Sequence, residues 1–279
     1  MAFTGRSGAL SQTEDADLAC LYSFFQCSYF LLFLKKVLLD NVHIFPDSDG
    51  LAEALALCLK KGAVQAVNEN RLYSLVLSGG ATAATIYRWF AAPGFGAQIP
   101  WESVHLFWSD ERCVPPESEE SNFGTAYHAF IKSISIPDEN IHRIRGEADP
   151  VTESIRYDKE VQEYLSLRNI KDHCFDCVLL GLGADGHTAS LFPGQENLLQ
   201  SSNLSEVARH PETGQKRITL TPTAIRRSNS IAYHVIGQQK AGIVSELILK
   251  SAQSKKYPAD HIRGEWYLDD ASASGLGSS

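Results

Sequence analysis

The sequence predicts an α/β fold: a mostly parallel sheet with helices on both faces, in a single main domain. Three observations carry this. From Val42 onward, short apolar runs alternate with stretches of helical periodicity, the pattern of successive βαβ units. Several of the runs are continuously apolar, as strands covered on both faces require. No internal repeat and no Pro/Gly-rich linker divides the chain after Val42.

Residues 1–40 read as an N-terminal extension and residues 41–276 as the main domain. The polar start MAFTGRSGALSQTEDAD leads into an apolar stretch, Leu18 to Leu34, and then Lys35 and Lys36. That stretch is short for a membrane span, and Ser23, Gln26, Cys27 and Ser28 dilute it. Glu14, Asp15 and Asp17 stand where a secretory signal carries positive charge. A membrane or targeting segment, a helix packed on the domain, and an extension apart from the chemistry all stay open.

VHIF then reads as a strand, with Asp47, Ser48 and Asp49 as caps for a helix from Leu51 to about Asn68. LYSLVL is a buried strand that ends in SGGATAAT and enters a helix through Tyr87 and Phe90. VHLFWSDER is a strand ending in charge. Helices follow around Gly124 to Ser133 and from about Thr152 to Arg168. FDCVLLGLG is the next strand. RITLTPTAIRRS, SIAYHVIG and QKAGIVSELILKS read as strand and helix start, strand, and helix; GEWYLDDASA closes as strand and helix. The arrangement is Rossmann-like, and in such sheets ligands sit beyond the carboxyl ends of the strands.

With 279 residues, 44% hydrophobic and 21% charged, the chain can bury a sizeable core. Its net charge of −8 and lack of a Lys/Arg block argue against a nucleic-acid binder. They leave room for an anionic small molecule held by a few local cations. Cys174 and Cys177 form a CxxC, but inside a core-bound strand and with no second metal-spaced pair, so the expectation is buried thiols and no metal.

Four segments place unusual residues just after a strand. In Ser78-Gly79-Gly80-Ala81-Thr82, Gly79 and Gly80 allow close backbone approach, the following helix offers free N–H groups, and Thr82 adds a hydroxyl. In Trp108-Ser109-Asp110-Glu111-Arg112, the expectation is an arginine, Arg112, held by its acidic neighbours Asp110 and Glu111 to meet an anion. GLGADGHTASLFPG carries Gly181, Gly183 and Gly186 in GxGxxG spacing, but late in the chain and with Asp185 and His187 intruding. Its glycines look like a scaffold exposing His187, whose imidazole can take and return a proton near neutral pH. Arg217 opens the RITLT strand and Lys240 opens a helix; both suit charge neutralisation of a phosphate. Each segment also has a plain structural reading, as a tight turn, a solvated loop, a hydrogen-bonded histidine or a surface charge.

Together these segments resemble the 6-phosphogluconolactonase family, from about Val42 to Ala273. The matching motifs are LSGGAT, WSDERCVPPESEESNFGTAYHAF, GLGADGHTASLFPG, RITLT with VIGQQKA, and WYLDDAS. The related glucosamine-6-phosphate deaminases and isomerases share the SGG-x-T loop and a DGH turn. They continue toward Asn-Glu-Pro-Gly and carry Asp-Glu-Tyr, where this chain has TASLFPG and Asp110-Glu111-Arg112. Ala81, often Ser in relatives, is one departure.

The resemblance implies hydrolysis of 6-phospho-D-glucono-1,5-lactone to 6-phosphogluconate, a step of the oxidative pentose phosphate pathway, with no metal or organic cofactor. Catalytic roles fall to His187, Asp110, Arg112 and Asp185, and substrate binding to Gly79, Gly80, Thr82, Arg217 and Lys240. His187 is expected to activate water, with Asp110 or Asp185 orienting it or Arg112. The expected partner is a phosphorylated sugar lactone in the cytoplasm; the chain is expected to be a monomer or small homo-oligomer. Two alternatives are a deaminase/isomerase of an amino-sugar phosphate and a non-catalytic sugar-phosphate sensor.

Overall fold

The computed structural model describes residues 39–167 and 173–277. The apolar stretch Leu18–Leu34 and most of the extension lie outside them. Asn41–Ser279 forms one compact unit.

Seven strands form one fully parallel sheet: β1 (Val42–Phe45), β2 (Tyr73–Leu77), β3 (Val104–Trp108), β5 (Ile141–His142), β6 (Cys177–Leu180), β9 (Ser230–Val235) and β10 (Glu265–Asp269), in the order β1-β10-β9-β6-β2-β3-β5. Every residue of β2 is buried, which explains its unbroken apolar run. The chain moves outward from β2 through β3 to β5, and outward the other way from β6 through β9 to β10. β2 and β6 are therefore neighbours at a topological switch point, where a crevice opens beyond the strand ends.

The long helices are α1 (Ser48–Asn68), α2 (Ala81–Phe90), α3 (Asn122–Ala129), α4 (Pro150–Leu167) and α5 (Ala241–Ile248). α1 and α2 pack against each other, and the right-handed rule for crossovers predicts α5 on the opposite face of the sheet. Asp47 caps α1 by accepting from the Gly50 N–H at 2.8 Å, and Leu51, Leu55, Leu59, Ala63 and Ala66 form its buried stripe. Among the described residues no helix is long and apolar enough to cross a membrane.

A second, smaller sheet is absent from the sequence-based expectation. β4 (Asp110–Arg112), β7 (Ser205–Arg209) and β8 (Lys216–Leu220) form an antiparallel ladder in the order β4-β8-β7. VHLFWSDER is thus two strands in two sheets, joined by Ser109. The Ser109 N–H donates to the Leu77 carbonyl of β2 at 2.7 Å, and its own carbonyl accepts from the Leu220 N–H of β8 at 2.7 Å. Tyr157 holds the same point from α4: its hydroxyl accepts from the Trp108 N–H and donates to the Trp108 carbonyl, both at 2.9 Å.

Cys174 is buried and Cys177 half-buried, and both are free thiols. Burial pushes the Cys177 thiol up to about 12.

Candidate active site

A cleft of about 360 Å³ opens beyond β2, β6 and β9. Gly79, Gly80, Thr82, Asp110, Arg112, His187, Arg217 and Lys240, eight of the nine residues singled out in the sequence, line it; Asp185 stands behind His187.

The floor is the turn from β2 into α2. Gly80 is the N-cap of α2 with φ of +91°, a conformation that favours glycine. A side chain at Gly79 would meet the Asn122 amide at 1.9 Å. The turn therefore presents bare backbone N–H groups at the N-terminal end of a ten-residue helix, an arrangement suited to an anion.

His187 comes from the turn after β6. Its Nδ1 lies 2.5 Å from Asp185 Oδ1, and its backbone N–H donates to the same oxygen at 3.2 Å. The ring packs against Phe192 with centroids 4.7 Å apart. Asp185 occupies Nδ1, so Nε2 is the nitrogen left to act on a ligand. Burial pulls the Asp185 carboxyl upward, but its bond to His187 and that group's charge outweigh it and hold Asp185 below the usual carboxylate range. Gly183 makes this fit possible, since a Cβ there would lie 2.1 Å from His187 Nδ1. Gly186 adopts φ of +81°, and a side chain on it would strike Tyr257. The glycines of the GxGxxG spacing thus shape the turn around an imidazole.

The cationic wall is built on the small sheet. Arg112 and Arg217 are direct cross-strand partners of β4 and β8. Two like charges side by side oppose folding unless other groups compensate. Asp110 supplies part of that: its Oδ2 lies 4.0 Å from Arg217 and accepts from the Ser190 hydroxyl at 2.6 Å. Arg112 donates to the Glu120 carbonyl at 2.5 Å. Among the described residues the Nε atoms of both arginines are buried without a protein partner. Burial lowers the Arg217 pKa, against the pull of Asp110, and burial likewise lowers that of Lys240, against Asp185.

The expected grip of Glu111 on Arg112 takes a different form. Glu111 is buried, and its carboxylate accepts the backbone N–H groups of Arg112, Asn122 and Phe123, each at 2.8 Å, and the Ser121 hydroxyl at 3.0 Å. It anchors the start of α3 and touches only the Arg112 main chain. Burial raises its pKa despite those donors.

Sequence reasoning gives no role to other residues of the cleft. Ser78 and His234 both line it. Ser78 Oγ and His234 Nε2 are 2.6 Å apart, although 156 positions separate them in the chain. Ala189 lines it with φ of +49°, a strained backbone for a residue with a Cβ. Asn122 holds Asp110, its amide donating to the Asp110 carbonyl at 2.9 Å and to Oδ1 at 3.2 Å. Asn122 lies inside the quoted ESNFGT run, but nothing in its pattern distinguishes it from an ordinary cap.

Comparison with known proteins bears on this geometry. Residues 46–268 match the family model described as glucosamine-6-phosphate isomerases/6-phosphogluconolactonase. The chain belongs to this family. A curated 6-phosphogluconolactonase from Haemophilus influenzae is 41% identical over 207 residues, spanning 72% of this chain and 87% of that protein. The solved structure of the devB protein superposes with a TM-score of 0.78 at 36% identity, covering 85% of this chain and 99% of that one. A monomeric glucosamine-6-phosphate deaminase superposes with a TM-score of 0.70 at 20% identity, covering 84% and 99%. Membership of the family therefore fixes the fold, and the curated relative at 41% identity carries the lactonase name.

Proposed function

We propose that this protein hydrolyses 6-phospho-D-glucono-1,5-lactone to 6-phosphogluconate in the oxidative pentose phosphate pathway. The observation that carries the reading is one cleft holding the His187–Asp185 pair together with three cations, Arg112, Arg217 and Lys240. Relatives named 6-phosphogluconolactonase, among them one 41% identical, support it. The main domain, residues 41–276, holds every residue the reading uses.

In this reading the substrate phosphate lies against the backbone N–H groups of Gly79 and Gly80, with Thr82, Arg217 and Lys240 around it. The lactone carbonyl then faces His187. Nε2 takes a proton from water as its oxygen bonds to the carbonyl carbon. The carbonyl π pair moves to oxygen, and the oxyanion formed is met by Arg112 and by backbone N–H groups. Asp185 fixes the proton on Nδ1 and stabilises the imidazolium. Collapse of the intermediate breaks the ring C–O bond, and Nε2 returns its proton to the departing oxygen. Asp110, held by Ser190 and Asn122, orients the arginine wall and does not pair with His187.

The test is an assay coupled to 6-phosphogluconate dehydrogenase, corrected for spontaneous ring opening. Turnover above the spontaneous rate that disappears in His187→Ala supports the reading. Ammonia release from glucosamine 6-phosphate, or product binding without turnover, refutes it.

A further inference from the structure

The mechanism above leaves His234 unused, although it lines the same cleft. His234 is 1% exposed and Ser78 is 3% exposed. The ring lies under the turn after β6, where a Cβ on Gly181 would touch His234 Cε1 at 3.9 Å. Burial depresses the His234 pKa to about 4, so the ring is neutral and carries a single N–H. Its Nε2 meets Ser78 Oγ, and its Nδ1 is buried with only its own main-chain carbonyl nearby, outside hydrogen-bond geometry.

The Nε2–Oγ distance does not tell which atom donates; the other ring nitrogen does. A proton on Nδ1 would have only that poorly aligned carbonyl to meet, and a buried N–H without a well-aligned acceptor is rare, while an unused lone pair is tolerated more readily. The proton therefore sits on Nε2 and the bare lone pair on Nδ1. Nε2–H donates to Ser78 Oγ. The Ser78 hydroxyl proton must then point elsewhere, and among the described residues nothing else accepts it. Tyr87 fixes the same residue from the other side, its hydroxyl donating to the Ser78 carbonyl at 2.5 Å.

We propose that His234 is a positioning residue that turns the Ser78 hydroxyl proton into the cleft, making Ser78 a further donor to a phosphate oxygen of the substrate. Ser78 directly precedes the Gly79–Gly80 turn, so its hydroxyl and those backbone N–H groups converge on one anion. This rests on the lactonase reading for the identity of that anion.

The experiment measures Kd for 6-phosphogluconate and for gluconate, together with kcat and KM, in the parent protein and in Ser78→Ala, His234→Gln and His234→Leu. A hydrogen bond to a charged group corresponds to roughly a 10-fold to 100-fold effect. Ser78→Ala should weaken 6-phosphogluconate about 10-fold or more, leave gluconate unchanged, and raise KM with kcat nearly constant, because the phosphate is remote from the reacting carbon. His234→Gln keeps a donor at the same place and should stay within about threefold of the parent, while His234→Leu should match Ser78→Ala. In the unmutated protein, ¹⁵N spectra of the imidazoles, assigned by the signal lost in His234→Gln, should show Nε2 protonated and Nδ1 bare. A proton on Nδ1, or 6-phosphogluconate affinity unchanged in Ser78→Ala, overturns the proposal. A parent protein that turns over the lactone while Ser78→Ala behaves identically sinks this inference alone; a parent without turnover or product binding sinks the lactonase reading.

Discussion

Replacing Gly183 by alanine is the smallest change that tests whether the placement of His187 matters. The added methyl would lie 2.1 Å from His187 Nδ1, 2.3 Å from its Cε1 and 2.6 Å from Asp185 Oδ1. Ordinary contact begins near 3.4 Å, so the imidazole must retreat by about 1.3 Å. Phe192 flanks the ring at 4.7 Å between centroids, and the Nδ1–Oδ1 contact of 2.5 Å leaves no slack. The ring therefore swings off the geometry that its carboxylate enforces. A displacement of about 1 Å in a reacting group costs on the order of 100-fold in rate, or about 2.7 kcal/mol of barrier. Gly183 does not adopt a left-handed conformation, so alanine adds no backbone strain and the protein should stay folded. The coupled lactonase assay, with circular dichroism as the control for folding, should find kcat down about 100-fold and KM little changed. A folded variant with kcat within about threefold of the parent would show that the Asp185-bound position of His187 is not the working one.

Removing the proposed base altogether is the harsher version: His187→Ala should lower kcat by about 10²- to 10⁴-fold while isothermal titration still detects 6-phosphogluconate. Arg217→Ala should raise KM by about 10-fold or more, with the larger effect on phosphorylated ligands in a paired comparison with gluconate. Stability should fall with acid through His234. Its folded pKa of about 4 is depressed from 6.5, so its contribution is intact above pH 6.5 and is lost as pH falls through that window. The loss reaches roughly 3 kcal/mol near pH 4; urea titrations at several pH values should show a shallower slope for His234→Gln than for the parent. Glu111→Ala leaves three backbone N–H groups and a hydroxyl without their acceptor and should cost about 1–3 kcal/mol, read as a lower urea midpoint.

The parts of this fold legible in the sequence are those where local pattern and tertiary burial agree. β2, β6 and β9 are apolar runs because both their faces are covered, and the turns after them carry residues a turn does not need for its own sake. The small sheet is the contrary case. Asp-Glu-Arg and Ser-Glu-Val-Ala-Arg have no apolar alternation, and the ladder with β8 alone makes them strands. The charged run before Cys113 therefore reads as the charged end of a single strand, and the opposition of Arg112 to Arg217 is invisible. Glu111 looked like a partner for Arg112 because it is adjacent in sequence, but adjacent strand residues face opposite sides of a ladder. Ser78 stands in the quoted turn without a role of its own and His234 inside a strand, and only the folded sheet, with β2 and β9 on either side of β6, brings them together.

Ser109 links two sheets through one residue, with its N–H committed to the parallel sheet and its carbonyl to the antiparallel ladder. That joint has a consequence for inhibition. A cationic wall braced so directly to the strand bearing Trp108 has little freedom to open after ring cleavage. In the proposed reading, the acid released keeps the phosphate assigned to Arg217 and has gained a carboxylate. Departure of the product then depends on thermal escape from an unaltered receptor, so accumulating product competes with fresh lactone for it.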